Sequence, residues 1–348
     1  MDYKKDKILG TLFGLAIGDG FGYPNEFLNL ESQKSKWGEK GLLEPLAGAI
    51  KVTDDTQMAL AVSKAIQKSF KKNKIKKNDF EIKLVYEFIN WYVDENNDRD
   101  PGKTCLSGCR KLSKGYSWRQ STSFNSKGCG ANMRVAPLSL LSFKSDFFSL
   151  KSIAELSQFQ AAFTHAHPTA ITASELTAIA IHKNLNGIKS EDLLDELIEY
   201  TKINKEIYHK DWLEDLWKHS SFGNEIEFIS HGWIECHNIL IKVKEGIKNF
   251  KQGDDPCSHI GEGWVAEEAL GVSLLCYLLD PDNTKNVLIR AINTNGDSDT
   301  IGCISGAISG AKNGLKSIPK DWVSRIEYRE ELLNYSDFIL TCNKQSNK

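Results

Sequence analysis

The chain has 348 residues, with 44 basic and 46 acidic side chains (a formal charge of -2), 41% hydrophobic residues and 10% aromatic residues. That length buries a core without disulfide or metal staples, and the composition excludes a disordered, collagen-like or membrane-spanning chain. The near-neutral charge argues against a broad nucleic-acid surface, though not against a local basic patch; a monomer without a membrane partner is expected.

At the N-terminus a moderately apolar stretch ends at Asp19 and Gly20 where a signal peptide would need a small-residue cleavage site, so it is predicted to be the first helix of the fold. It carries Gly10, Gly14, Gly18 and Gly22, and a second series, Gly302, Gly306 and Gly310, stands near the end. Glycine costs about 1 kcal/mol relative to alanine inside a helix, so stripes at four-residue spacing imply close approach of another helix or a ligand. Met58, Val62, Ala65, Ile66 and Phe70 share one helix face, and the run Lys68, Lys71, Lys72, Lys74, Lys76 and Lys77 after them is predicted to be a solvated loop or a phosphate-attracting rim. Helical patterns follow over 84–93, 153–163, 171–182, 193–200, 234–247, 264–279 and 326–340, with peripheral helices over 189–227. Almost nothing alternates with period two and no linker divides the chain, so the expected class is all-α, in one compact domain spanning 1–348. The longest apolar run, 272–279, is far short of the roughly 20 residues needed to cross a bilayer. The eight cysteines (Cys105, Cys109, Cys129, Cys236, Cys257, Cys276, Cys303 and Cys342) contain no C-x-x-C pair, and a reducing cytoplasm is expected.

Two loops concentrate carboxylates ahead of helices: Thr53-Asp54-Asp55-Thr56 and Gly296-Asp297-Ser298-Asp299-Thr300. Threonine and aspartate suit a helix N-terminus, but one carboxylate serves that purpose, and adjacent carboxylates repel each other unless a cation lies between them. The device occurs twice with hard oxygen donors, which points to a di-metal site for Mg²⁺, Mn²⁺ or Ca²⁺ rather than zinc. An EF-hand is excluded because its third acidic position and its terminal glutamate would be Ile301 and Ile308. Glu26 is either an exposed loop residue or a third contributor to the same cleft, and Asp19 a turn-former. The loops Arg99-Asp100-Pro101-Gly102-Lys103-Thr104 and Lys127-Gly128-Cys129-Gly130-Ala131-Asn132-Met133-Arg134 suit an anion, through glycine backbone amides and a following helix, or are plain turns. Thr164-His165-Ala166-His167 offers a substrate-side or a packed histidine and lacks a third zinc ligand nearby; no G-x-S-x-G elbow or marked cysteine supports covalent hydrolysis.

In this order, Gly18-Asp19 with Glu26, the T-D-D-T run, Arg99 to Gly102, Gly128 to Pro137, Thr164-His165, Gly263 to Ala269 and the G-D-S-D-T run, the sequence resembles the ADP-ribosylglycohydrolase family. That family includes bacterial dinitrogenase-reductase-activating glycohydrolases and animal ADP-ribosyl-acceptor hydrolases. The resemblance implies an orthogonal helical bundle around a cleft holding two divalent cations, usually Mg²⁺ or Mn²⁺, with Thr53, Asp54, Asp55, Asp297, Asp299 and Thr300 as ligands. It further implies acid/base chemistry among Glu26, Asp54, Asp55 and Asp299. Asp100, Gly102 and Lys103, then Gly128, Cys129, Gly130, Asn132 and Met133, correspond to its diphosphate and ribose loops, and His165 to its substrate-side histidine. The implied activity is release of ADP-ribose from an acceptor. A catalytically silent ADP-ribose-binding module and a dinuclear-metal phosphohydrolase of nucleotide diphosphates are the alternatives. The sequence departs from many relatives at Cys129, where they carry asparagine; some members of the fold, such as a jellyfish lens crystallin, have lost catalysis, but all six ligand positions are retained here.

Overall fold

The structure is a computed structural model that describes residues 2–341. Among them are 19 α-helices and a single two-stranded hairpin, the all-α class that the periodicity predicts. Cys342 lies outside the described residues, and the other seven cysteines are free thiols, six of them buried. No helix among the described residues is long and apolar enough to cross a membrane.

The first helix, Tyr3–Gly22, is buried on every side from Lys7 onward, as a helix apolar all round must be. Its partner is Ser298–Asn313, buried as completely through Ala311. The two run antiparallel with their backbones touching. A Cβ added at Gly14 would stand 2.1 Å from the Gly306 carbonyl oxygen, one at Gly18 2.0 Å from that of Gly302, and one at Gly10 2.4 Å from that of Gly310. Both glycine stripes are therefore one seam. Helices Pro168–Leu185, Ala266–Leu278 and Thr284–Ile292 pack on Ser298–Asn313, while Asp54–Ser69 leans on both members of the pair. A single apolar cluster extends from Ile8 to Ile339.

Two local expectations change. The lysine-rich loop contains an antiparallel hairpin, Phe70–Lys71 against Lys74–Ile75, turning through Lys72 (φ 51°) and Asn73 (φ 63°). Positive φ at both central residues is the twist a two-residue hairpin turn requires, and asparagine tolerates it well. The pattern over 326–340 is interrupted. Helix Lys320–Arg325 stops, Glu327 donates from its amide to the Ile50 carbonyl, Ile50 donates to that of Arg325, and Tyr328 takes φ 55° before Arg329–Leu340 begins. The apolar period continues across a residue that is in fact paired to a distant strand-like segment.

The seam should tolerate no side chain. Gly306→Ala, whose Cβ would lie 1.9 Å from the Gly14 carbonyl oxygen, is expected to lose more than about 3 kcal/mol in urea unfolding. Gly246→Ala, within helix Glu225–Asn249 and meeting only ordinary contacts of 3.4 Å and beyond, should stay within about 1 kcal/mol of the parent.

Candidate active site

Because the seam is antiparallel, the C-terminal end of the first helix lies beside the N-terminal end of Ser298–Asn313. Asp19, on the first helix, is fully buried and acts as a four-point anchor. It accepts from the Thr53 amide (2.9 Å) and hydroxyl (2.8 Å) and from the Thr56 amide (3.0 Å) and hydroxyl (2.5 Å). This fixes the start of helix Asp54–Ser69, where Thr53 also caps by accepting from the Asp55 amide at 3.4 Å. Capping and carboxylate display are thus compatible: Thr53 caps, and Asp54 and Asp55 stand in the first turn. Asp297 is the N-cap residue of the second helix and Asp299 stands in its first turn. Two positive helix ends therefore face one acidic centre and offset part of its repulsion.

Glu26, just past a short 3₁₀ turn Tyr23–Asn25, is 8% exposed, so the exposed-loop alternative is overturned. One carboxylate oxygen from each of Glu26, Asp297 and Asp299 lies within 4.8 Å of the others. Glu26 Oε2 and Asp55 Oδ2 are buried with no hydrogen-bond partner. Burial, then the neighbouring Asp299, Asp297, Asp54 and Asp100, pushes Glu26 up to about 11. Burial and then Asp299 push Asp54 up to about 8 and Asp19 to about 7, and hold Asp55 and Asp297 well above the usual carboxylate range. Unpartnered oxygens and mutually raised carboxyls on hard donors are the situation a divalent cation relieves, so these residues fit the metal ions that the sequence implied.

A cleft of about 180 Å³ opens on this centre. It is lined by Glu26, Asp54, Asp55, Asp297, Asp299 and Thr300, and by Asp100, Gly102, Lys103, Gly128, Cys129, Gly130, Met133 and His165 from the loops. The two anion-loop segments do converge, since the Gly102 amide donates to Asp54 Oδ2 at 3.2 Å and the Cys129 thiol to Asp297 Oδ2 at 2.9 Å. Thr53 and Asn132 are not on the lining. The Asn132 amide instead donates to the Ala266 carbonyl at 2.9 Å and ties its loop to the neighbouring helix. Thr104, Cys105 and Trp264 complete the wall; sequence reasoning names Thr104 and Trp264 only within longer segments and Cys105 only among the cysteines. Trp264 follows a positive-φ glycine, Gly263, which was the available signal, and it stacks with exposed Phe27 at 6.0 Å. A second cavity of about 530 Å³ shares Lys103 and Thr104 with the cleft and is lined by Ser121, Thr122, Phe124 and His219 among others. Ser121 Oγ and Thr122 Oγ1 are buried there without partners.

These features define an all-helical protein built around a buried, cation-seeking carboxylate cleft. The chain belongs to the ADP-ribosylglycohydrolase family, whose model matches residues 1–347. It is 26% identical to the mouse ADP-ribosylhydrolase ARH3 (92% of this chain, 88% of that protein). It is 24% identical to the ADP-ribosyl-[dinitrogen reductase] glycohydrolase of Rhodospirillum rubrum (94% and 92%). A solved structure titled as an ADP-ribosylglycohydrolase-related protein complex superposes with a TM-score of 0.66 over 98% of this chain and 99% of that one, at 21% identity, a likeness of fold. The protein is accordingly a glycohydrolase of ADP-ribose linkages.

The electrostatics predict an inverted pH profile of stability for metal-free protein. Carboxyls raised in the folded chain bind protons there that the unfolded chain has released, so stability falls as pH rises from about 4 through the Asp19 and Asp54 values near 7 and 8. Chelator-treated protein should melt lower at about pH 8 than at about pH 5, and Mg²⁺ or Mn²⁺ should raise the melting temperature more at the higher pH. Asp55→Asn should raise the metal-free melting temperature by about 2–4 °C, read by differential scanning calorimetry.

Proposed function

We propose that the protein hydrolyses the bond between the anomeric carbon of ADP-ribose and an acceptor, with two divalent cations, Mg²⁺ or Mn²⁺, held by Asp54, Asp55, Asp297, Asp299 and Thr300, while Thr53, whose hydroxyl is bonded to Asp19, positions Asp54 and Asp55. The observation that carries this reading is the pair of unpartnered buried oxygens, Glu26 Oε2 and Asp55 Oδ2, in one acidic cleft. When bound, such ions would supply Lewis-acid polarisation and ease the ionisation of water.

Cleavage at an anomeric carbon passes through an oxocarbenium-like state and needs a proton donor for the leaving atom and a base for water. Glu26, pushed up to about 11 by burial and its acidic neighbours, retains its proton in the metal-free protein and is the donor in this reading. Asp55, whose Oδ2 is free, is the candidate acceptor of the water proton, and Asp299, in the same cluster, holds the geometry. The cleft alone is smaller than the roughly 300–1,000 Å³ of small-molecule sites, so the nucleotide end of the ligand extends beyond it. The adjoining cavity suits a nucleobase, offering the Phe124 ring and the free hydroxyls of Ser121 and Thr122. Between the two, the N-terminus of helix Lys103–Ser113, capped at Gly102, and the Lys103 ammonium suit the diphosphate. The ribose then falls against Gly128, Gly130, Met133 and His165.

Incubation with mono-ADP-ribosylated substrates and Mg²⁺, followed by chromatography of the products, tests the reading. Intact ADP-ribose is the expected product. AMP would identify a phosphohydrolase instead, and tight ADP-ribose binding without turnover a binding module. Asp299→Ala and Asp55→Ala should each reduce release about a thousandfold or more. Phe124→Ala should raise KM for the nucleotide about tenfold with little change in kcat.

A further inference from the structure

We infer that Arg134 and Thr164 are positioning residues that lock His165 in the tautomer protonated on Nε2, so that the histidine presents the cleft with a hydrogen-bond donor for a ligand oxygen. No direct contact with the ligand is required of either residue. The inference is independent of the proposed hydrolysis and rests on it only for the identity of the oxygen, a ribose hydroxyl or a phosphate.

Arg134 is fully buried, with its guanidinium 4.6 Å from the centre of the Phe88 ring. All five of its N–H groups are committed. Nε donates to Gln160 Oε1 (2.6 Å), Nη2 to the Gln160 carbonyl (3.0 Å) and Thr164 Oγ1 (2.9 Å), and Nη1 to Met58 Sδ (3.4 Å) and Cys105 Sγ (3.7 Å). A guanidinium has no acceptor, so in its contact with Arg134 the Thr164 hydroxyl must accept. Its single hydrogen is then free for His165 Nδ1, 2.8 Å away and a far better acceptor than the nearby Cys105 sulfur. Nδ1 is thereby an acceptor, and the one proton of a neutral imidazole must sit on Nε2. Burial and the Arg134 charge push His165 down to about 3, so the ring is neutral across the physiological range.

The ring is also held in place. Ser123 donates from its amide to the Thr164 carbonyl at 3.0 Å and accepts from the Ala166 amide at 2.8 Å, bracketing His165. The Nε2 edge faces the glycine loop: a Cβ at Gly128 would lie 3.4 Å from Nε2 and one at Gly130 3.0 Å from Cε1. Nε2 itself makes no hydrogen bond among the described residues, and the residue lines the cleft. Gln160 extends the device, since its own amide donates to the Ala131 carbonyl at 2.9 Å, so the arginine that sets the histidine also braces the loop opposite it.

Long-range proton–nitrogen correlation spectra of histidine-labelled protein read the tautomer directly, with the His165 signals assigned by their loss in His165→Gln. The expected pattern is a protonated Nε2 and an unprotonated Nδ1, unchanged down to about pH 5. Thr164→Val should disturb that pattern and raise KM about fivefold to tenfold with kcat nearly unchanged, and Thr164→Ser should restore both. A protonated Nδ1 in the parent protein, or the same pattern retained in Thr164→Val, would overturn the inference. The spectrum of the parent decides the matter even where the valine variant does not fold.

Discussion

The backbone contact between Tyr3–Gly22 and Ser298–Asn313 is the constraint from which the rest of the molecule follows. Residues from opposite ends of the chain meet there at distances that leave no room for a Cβ. Two helices so close have no freedom to slide by a turn, because each glycine faces one partner carbonyl. The antiparallel sense then sets Asp19 and Glu26 beside Asp297 and Asp299, and the hydrogen bonds of Asp19 draw the start of Asp54–Ser69 to the same point.

What this arrangement gains in position it loses in charge. Glu26, Asp54, Asp55, Asp297 and Asp299 lie in or at a buried cleft, and burial first, with the charge of Asp299 next for the other four, raises carboxyls that would be ionised in water. Two helix N-termini and a few amide donors compensate only in part, leaving two carboxylate oxygens with no partner. Natural proteins accept such local conflicts where function needs them. The cavity beside the cleft and the Arg134–Thr164–His165 chain carry no such charge conflict; the cavity holds the unpartnered hydroxyls of Ser121 and Thr122, and the chain commits every polar hydrogen of Arg134.

Much of this was legible in the residues. The repeated Thr/Asp loops ahead of helices, the glycine stripes and the glycine loops all depend on local chemistry, and local chemistry is what a sequence displays. The resemblance to a family then supplied the joint placement of Asp54 and Asp299. The missed features depend on distant partners. Helical periodicity continues through Ile326 although Ile50 pulls that segment out of the helix, and nothing near Asn132 announces that its amide belongs to Ala266. The Lys72-Asn73 turn was visible as an asparagine at a two-residue spacing, yet the lysines around it suggested a solvated loop or a phosphate-attracting rim rather than a hairpin. Trp264 stands in the Gly263 to Ala269 segment without any local sign of its role, and the Ser121–Phe124 cavity wall carries no motif, because the role of both lies in the side on which the fold leaves them open.

The most direct test of the account is anomalous diffraction from crystals soaked in Mn²⁺. Two anomalous peaks enclosed by Asp54, Asp55, Asp297 and Asp299 are the predicted result. Protein that releases ADP-ribose while its cleft shows no peak would contradict it.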